Sequence, residues 1–187
     1  MRAARQYRNS PLLWAARLIP RPFCASFLVA CAMILGASTL ASSQSKPPTA
    51  AESLKKTFDY IDQKVLTMAQ DFPESKYDYR LKPEMRSFGE VIVHITSGIE
   101  YAAKAGRGEK VNWDELNPKD YSTKAQCVAL LQKWIGEANT SLNQNPEGVH
   151  GSLEPFLSVL QHTSEHYGLL VAYYRANGLV PPESRKK

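Results

Sequence analysis

The first 43 residues contain no aspartate and no glutamate. They carry Arg2, Arg5, Arg8, Arg17 and Arg21, and so account for the whole formal charge of +5. Without those five, 18 of the 23 basic residues remain against 18 acidic ones, and the body of the protein is neutral. The basic balance of the whole chain therefore carries no argument for a nucleic-acid partner, and none is expected. Cysteine is scarce too. Of three in the chain, Cys24 and Cys31 fall in the same opening segment, so Cys127 stands alone afterwards and no internal disulfide can form there. No stretch alternates apolar and polar residues at strand period over a useful length, and no repeat or low-complexity run occurs. With 43% hydrophobic and 22% charged residues, the chain has the composition of a globular domain with a packed core.

The opening segment reads as an address. Five arginines precede an apolar stretch over 23–35, and the small residues Gly36, Ala37, Ser38, Ala41, Ser42 and Ser43 follow, the order of a secretory signal peptide. Cleavage after Ala41 or Ser43 would start the mature chain near Gln44. An uncleaved anchor over 23–41 is the alternative, and arginines on its amino side would still leave the domain outside the cytosol. Leu28-Val29-Ala30-Cys31 resembles a lipoprotein cleavage box, but the apolar run continues through Leu35, where a lipidated cysteine should begin a polar tether. The expected organisation is a signal peptide over 1–43, a linker over 44–49, a helical domain over 50–184 and a basic tail over 185–187. The expected location is periplasmic or secreted, with no stable membrane span after processing.

Four helices are expected in the mature part. Thr49 can cap a helix to about Gln70, with Leu54, Phe58, Ile61, Val65 and Met68 spaced by threes and fours. Ser87 and Glu90 form a capping box opening a second helix, closed by Gly106, with Val91, Ile95 and Ile99 on its apolar face. The charged stretch over 107–121 is long for a connection between antiparallel neighbours and suits a crossover. A third helix from near Ser122 presents Cys127, Leu131, Trp134, Ala138 and Leu142. A fourth, from near Ser152 to Asn177, tolerates Pro155 in its first turn and presents Phe156, Leu160, Thr163, Tyr167, Leu170 and Tyr174. Four helices of such length make an all-α four-helix bundle. Cys127, on an apolar face, reads as a core thiol rather than a nucleophile.

Two of the four histidines, His162 and His166, stand one helical turn apart, where both rings can reach a single ion. A random chain of this composition would hold about 0.09 such pairs. His94 lies mid-helix beside Ile95 and Ile99, and facing helices could bring all three together. Any one of them alone would read as a hydrogen-bonded core histidine; the trio reads as a metal site. Neutral imidazoles bind zinc, nickel, copper or ferrous iron, and three protein ligands leave a position for chemistry. His150 reads as a solvated loop residue. Glu165 completes the inverted zinc-protease pattern His-x-x-Glu-His. That reading needs a further acidic ligand downstream, and only Glu183 follows.

The segment over 87–96, Ser-Phe-Gly-Glu-Val-Ile-Val-His-Ile-Thr, resembles the helix-two segment of the DinB/YfiT-like superfamily. The segment over 162–184 is similar to its helix-four signature: His162 and His166, then Tyr167-Gly168, Tyr173-x-Arg175 and Asn177-Gly178-x-Val180-Pro181-Pro182. The resemblance implies an up-down-down-up bundle with its long crossover after helix two, and a divalent metal (zinc, nickel or iron) on His94, His162 and His166. It also implies a spread of functions, among them thiol-dependent transferases and isomerases, metal-dependent hydrolases and proteins with no assigned activity. An exported domain lacks a ready pool of cytosolic thiols, which favours a metal-dependent hydrolase or a non-catalytic metal-binding or interaction bundle. The expected partner is a small-molecule substrate that the residues do not identify; a homodimer is an open alternative.

Overall fold

Local sequence sets each helix boundary. In the computed structural model, which describes residues 46–144 and 153–186, α1 (Ala50–Asp71) and α2 (Phe88–Gly106) both open on reciprocal capping boxes. Thr49 Oγ1 accepts from Glu52 N at 3.2 Å while Thr49 N donates to the Glu52 carboxylate at 2.7 Å, and Ser87 and Glu90 repeat the exchange at 3.3 and 2.7 Å. α3 (Lys124–Gln144) starts two residues later than expected because Thr123, not Ser122, meets Gln126 in the same way. α4 (Glu154–Ala176) has Pro155 in its first turn. It ends in a Schellman motif: Gly178 adopts φ 70°, Gly178 N donates to Arg175 O at 3.0 Å, and Leu179 N donates to Tyr174 O at 2.9 Å. Gly106 does not close α2 by a left-handed turn; that conformation falls to Gly108, φ 82°. The expected signal peptide with Cys24 and Cys31, and the turn with His150, lie outside the described residues.

The described residues form an all-α four-helix bundle, with no strand among them. Ring and helix contacts fix the directions. Phe88 meets Tyr173 at one end of the α2–α4 seam, and Gly106 meets Phe156 at the other, so these helices are antiparallel. Phe58 packs edge-on to Phe156 at 5.6 Å while the Tyr174 hydroxyl reaches Met68 O at 2.9 Å, so α1 and α4 run parallel. Gly89 lies by Cys127 and Gly106 by Ser141, so α2 and α3 run parallel. The order is therefore up-down-down-up, and the parallel neighbours α2 and α3 need a connection as long as the bundle. Residues 107–123 supply it. Among the described residues no helix is long and apolar enough to cross a membrane.

The core contains the expected Leu54, Phe58, Ile61, Val65, Val91, Ile95, Ile99, Leu131, Trp134, Leu142, Phe156 and Leu170. Leu160 and Tyr167 are only half-buried, and Val159 and Tyr173 are buried instead. α4 packs on both α1 and α2, which turns its buried face by one residue and leaves Tyr167 at the edge under the Lys64 ammonium, 4.2 Å from its ring centre. An aromatic cluster of Phe72, Tyr77, Phe88, Tyr173 and Tyr174 fills one end, with Phe72 stacked on Phe88 at 3.8 Å. It anchors the 73–87 segment. Arg185, expected in the tail, instead docks on the end of α1, its two terminal nitrogens 2.9 and 2.5 Å from the Asp71 carboxylate.

Asp62 sits fully buried on the core face of α1, and neither carboxylate oxygen has a hydrogen-bond partner among the described residues. Burial, helped by the charge of Asp59, pushes its pKa well above the usual carboxylate range. An unfolded aspartate ionises near about pH 3.9. The folded state therefore binds more protons between that pH and the raised pKa, and stability falls as pH rises through the interval. Asp62→Leu is expected to stabilise the protein by about 1–3 kcal/mol at pH 8 and by less at pH 4. Denaturant melts at the two pH values check this; a gain at pH 8 no larger than at pH 4 contradicts an unpartnered buried carboxyl.

Candidate metal centre

His94 occupies the middle of α2, between the buried Val93 and Ile95, and His162 and His166 occupy successive turns of α4. Because α2 and α4 are antiparallel neighbours, the three rings meet across the seam. His94 Nε2 lies 3.1 Å from His166 Nε2 and 3.0 Å from His162 Nε2, and the ring centres are 4.5–4.8 Å apart. All three side chains are half-buried. Burial lowers each pKa, most at His162, which is pushed down to about 4 with help from the two other rings and Arg86. The imidazoles are therefore neutral at pH 7 and offer lone pairs.

The crossover furnishes the surroundings. Glu115 accepts a hydrogen bond from His94 Nδ1 at 2.9 Å, which puts the ring proton on Nδ1 and the lone pair on Nε2, facing the other rings. Arg86 Nη2 donates to both Glu115 oxygens, at 2.9 and 3.1 Å. Partial burial pushes the Glu115 carboxyl up, but Arg86 and His94 outweigh it and hold it below its usual range. Trp113 stacks on Tyr101 with centres 5.2 Å apart and stands edge-on to His162 at 5.0 Å. Gly98 makes room for it, since a Cβ there would lie 2.7 Å from Trp113 Cζ2 and 3.2 Å from His162 Nδ1. Leu116 N donates to Ser97 Oγ at 3.0 Å and pins the strap to α2.

The donor set fits a cation. Imidazole nitrogens about 2.0–2.1 Å from one tetrahedral zinc stand about 3.3–3.4 Å apart. That is close to the 3.0 and 3.1 Å from His94 Nε2 to the other two rings, and all three ligand atoms lie within 4.8 Å of one another. Hydrogen bonding alone fits less well: His94 Nε2 has one in-plane lone pair and faces two rings. Among the described residues no fourth histidine, cysteine, aspartate or glutamate joins the group. His162 departs from the usual pattern, because its Nδ1 is buried without a partner among the described residues where a ligating histidine ordinarily donates to an acceptor.

Glu165 is not part of this arrangement. It is exposed on another face of α4 and accepts from Gln161 Nε2 at 3.1 Å, so the inverted-protease pattern lacks its acid here. Glu183 is also exposed. Cys127 is buried against Tyr121 O at 3.3 Å and burial pushes its thiol up to about 11, as suits a core thiol. Arg86, Trp113 and Glu115 were not picked out by sequence reasoning. The unusual length and charge of the crossover were the available signal.

An open cleft of about 480 Å³ borders the group on the His166 side, walled by Arg86, Val91, Leu169 and Tyr173. A second concavity of about 360 Å³ lies between α2 and the crossover and includes Glu115 but none of the histidines. The family model described as the DinB superfamily matches residues 57–169, a span that contains all three histidines and both helices that carry them. The tyrosine, arginine and proline motifs after Leu169 lie outside the match. No curated protein matches the chain.

Proposed function

Because the chain belongs to the DinB superfamily, we propose that it holds one divalent ion on His94, His162 and His166 and acts as a metal-dependent hydrolase on a small molecule outside the cytosol. The observation that carries this reading is the convergence of three neutral imidazole nitrogens with no fourth protein ligand among the described residues. A closed fourth position would favour a non-catalytic binding bundle. When bound, a zinc, nickel or ferrous ion supplies Lewis acidity beside the cleft. The protein's own residues do the rest. Glu115 fixes the His94 tautomer and orients its ring, and Arg86 fixes Glu115. Trp113 covers the outer edge of His162 and restricts water there. Buried Cys127 offers no accessible thiol, and an exported protein meets little small-molecule thiol, so a transferase reading has less support.

Export rests on the arginine, apolar and small-residue order of residues 1–43. One preparation tests both halves. Protein expressed with its full amino end and recovered from the extracytoplasmic fraction is expected to have an intact mass starting near Gln44 and about one bound ion per chain by elemental analysis. A full-length cytosolic product overturns the export reading, and protein that takes up no zinc, nickel or iron overturns the metal reading.

A further inference from the structure

The cleft beside His166 is built to distinguish charge. Among the residues bordering it Arg86 is the one cation, and the walls offered by Val91 and Leu169 are apolar. The Tyr173 hydroxyl donates to the Arg86 carbonyl oxygen, which fixes the Arg86 backbone and commits the phenol. Glu115 engages the Arg86 guanidinium through Nη2 alone, and Nη1 and Nε make no hydrogen bond to the described residues. Guanidinium N–H groups able to meet an oxyanion are therefore left over. Glu84, the acid at the border, is exposed, where water and salt screen it.

Charge balance points the same way. Arg86 and Glu115 pair and cancel, and imidazole ligands bring no charge of their own, so the charge of a divalent ion held there would remain uncompensated next to an apolar wall. We infer that the cleft binds a small carboxylate with an apolar body, its oxygens on Arg86 and its body along Val91 and Leu169. This rests on the metal reading above and names the substrate class for that site. A monoanion with two oxygens can be satisfied by one guanidinium. A phosphonate dianion carries a third oxygen, which would fall to the His166 ring rather than to a second guanidinium or ammonium.

Calorimetric titration of zinc-loaded protein with benzoate, benzamide and phenylphosphonate tests the inference. Benzoate is expected to bind at least about tenfold more tightly than neutral, isosteric benzamide, and Arg86→Gln to weaken benzoate about tenfold while leaving benzamide unchanged. Arg86→Lys, which keeps the charge without the fork, is expected to fall between the two. Zinc content is measured on every sample. If Arg86→Gln misfolds or loses zinc, the lysine variant decides, and a benzoate affinity equal to wild type overturns the inference. Equal affinities for benzoate and benzamide, or phenylphosphonate binding more tightly than benzoate, also overturn it. A wild-type protein that takes up no zinc fails earlier, at the metal reading, and takes this inference with it.

Discussion

Replacing His162 by alanine is expected to weaken zinc retention at least about a hundredfold, because loss of an outer-shell partner alone typically costs about 10–100-fold and this change removes a ligand. His94→Ala and His166→Ala should do the same, whereas His150→Ala should change nothing. Glu115→Gln keeps a hydrogen-bonding group near His94 Nδ1 but loses the carboxylate charge, and should fall in the tenfold to hundredfold range. Competition against a chelator of known affinity measures all five. The metal-free proteins add a discriminating readout. If the rings meet only as hydrogen-bonded core residues, His162→Ala must destabilise the metal-free fold. If they meet as ligands, the metal-free variant should be as stable as its parent, since it removes a half-buried ring whose Nδ1 has no partner among the described residues. Unchanged zinc affinity in the three ligand variants would defeat the assignment.

Gly106→Ala is expected to destabilise the fold by about 3 kcal/mol or more, lowering the melting temperature by roughly 10 °C. A Cβ on the last residue of α2 would lie 2.3 and 2.4 Å from two carbons of the Phe156 ring and 2.6 Å from Ser141 Oγ. Phe156 is fully buried and held edge-on by Phe58, so it cannot swing out. The helices must separate instead. Adding Phe156→Ala should relieve the clash, so the double variant should be more stable than the sum of the two single changes predicts. Thermal melts of the three variants check this, and a Gly106→Ala shift within about 2 °C of wild type contradicts the packing. Gly98 makes a useful contrast. Its clash is with Trp113, which is 39% exposed and can turn aside, so an alanine there should disturb the strap more than the fold.

What could be read from the sequence follows from what is local. Ser87 and Glu90 announce a helix start through spacing alone, and His162 and His166 share a helix face by the same arithmetic. The length of the crossover foretold the parallel pairing of α2 and α3. Glu115 was beyond that reach: it stands 21 residues from His94 and meets it only because of the path the strap takes over α2. Trp113 depends on the missing side chain of Gly98, a tertiary fit with no periodic signature. Leu160 was misjudged for a related reason, since the buried face of α4 is set by two neighbouring helices rather than by its own stripe. Asp62 fell inside an apolar pattern and interrupts it only when its partners are sought in space.

His94 is separated from His162 and His166 by 68 and 72 positions along the chain, yet its Nε2 lies 3.0 and 3.1 Å from theirs and the three ligand atoms all lie within 4.8 Å of one another. On the isolated fourth helix only two donors would be side by side. The third arrives only with the docking of the helices, so an ion held by all three binds the finished tertiary structure and not its parts. Occupancy is thereby a readout of completed assembly. During synthesis of the chain, His94 alone would compete poorly for metal, and capture would coincide with closure of the seam.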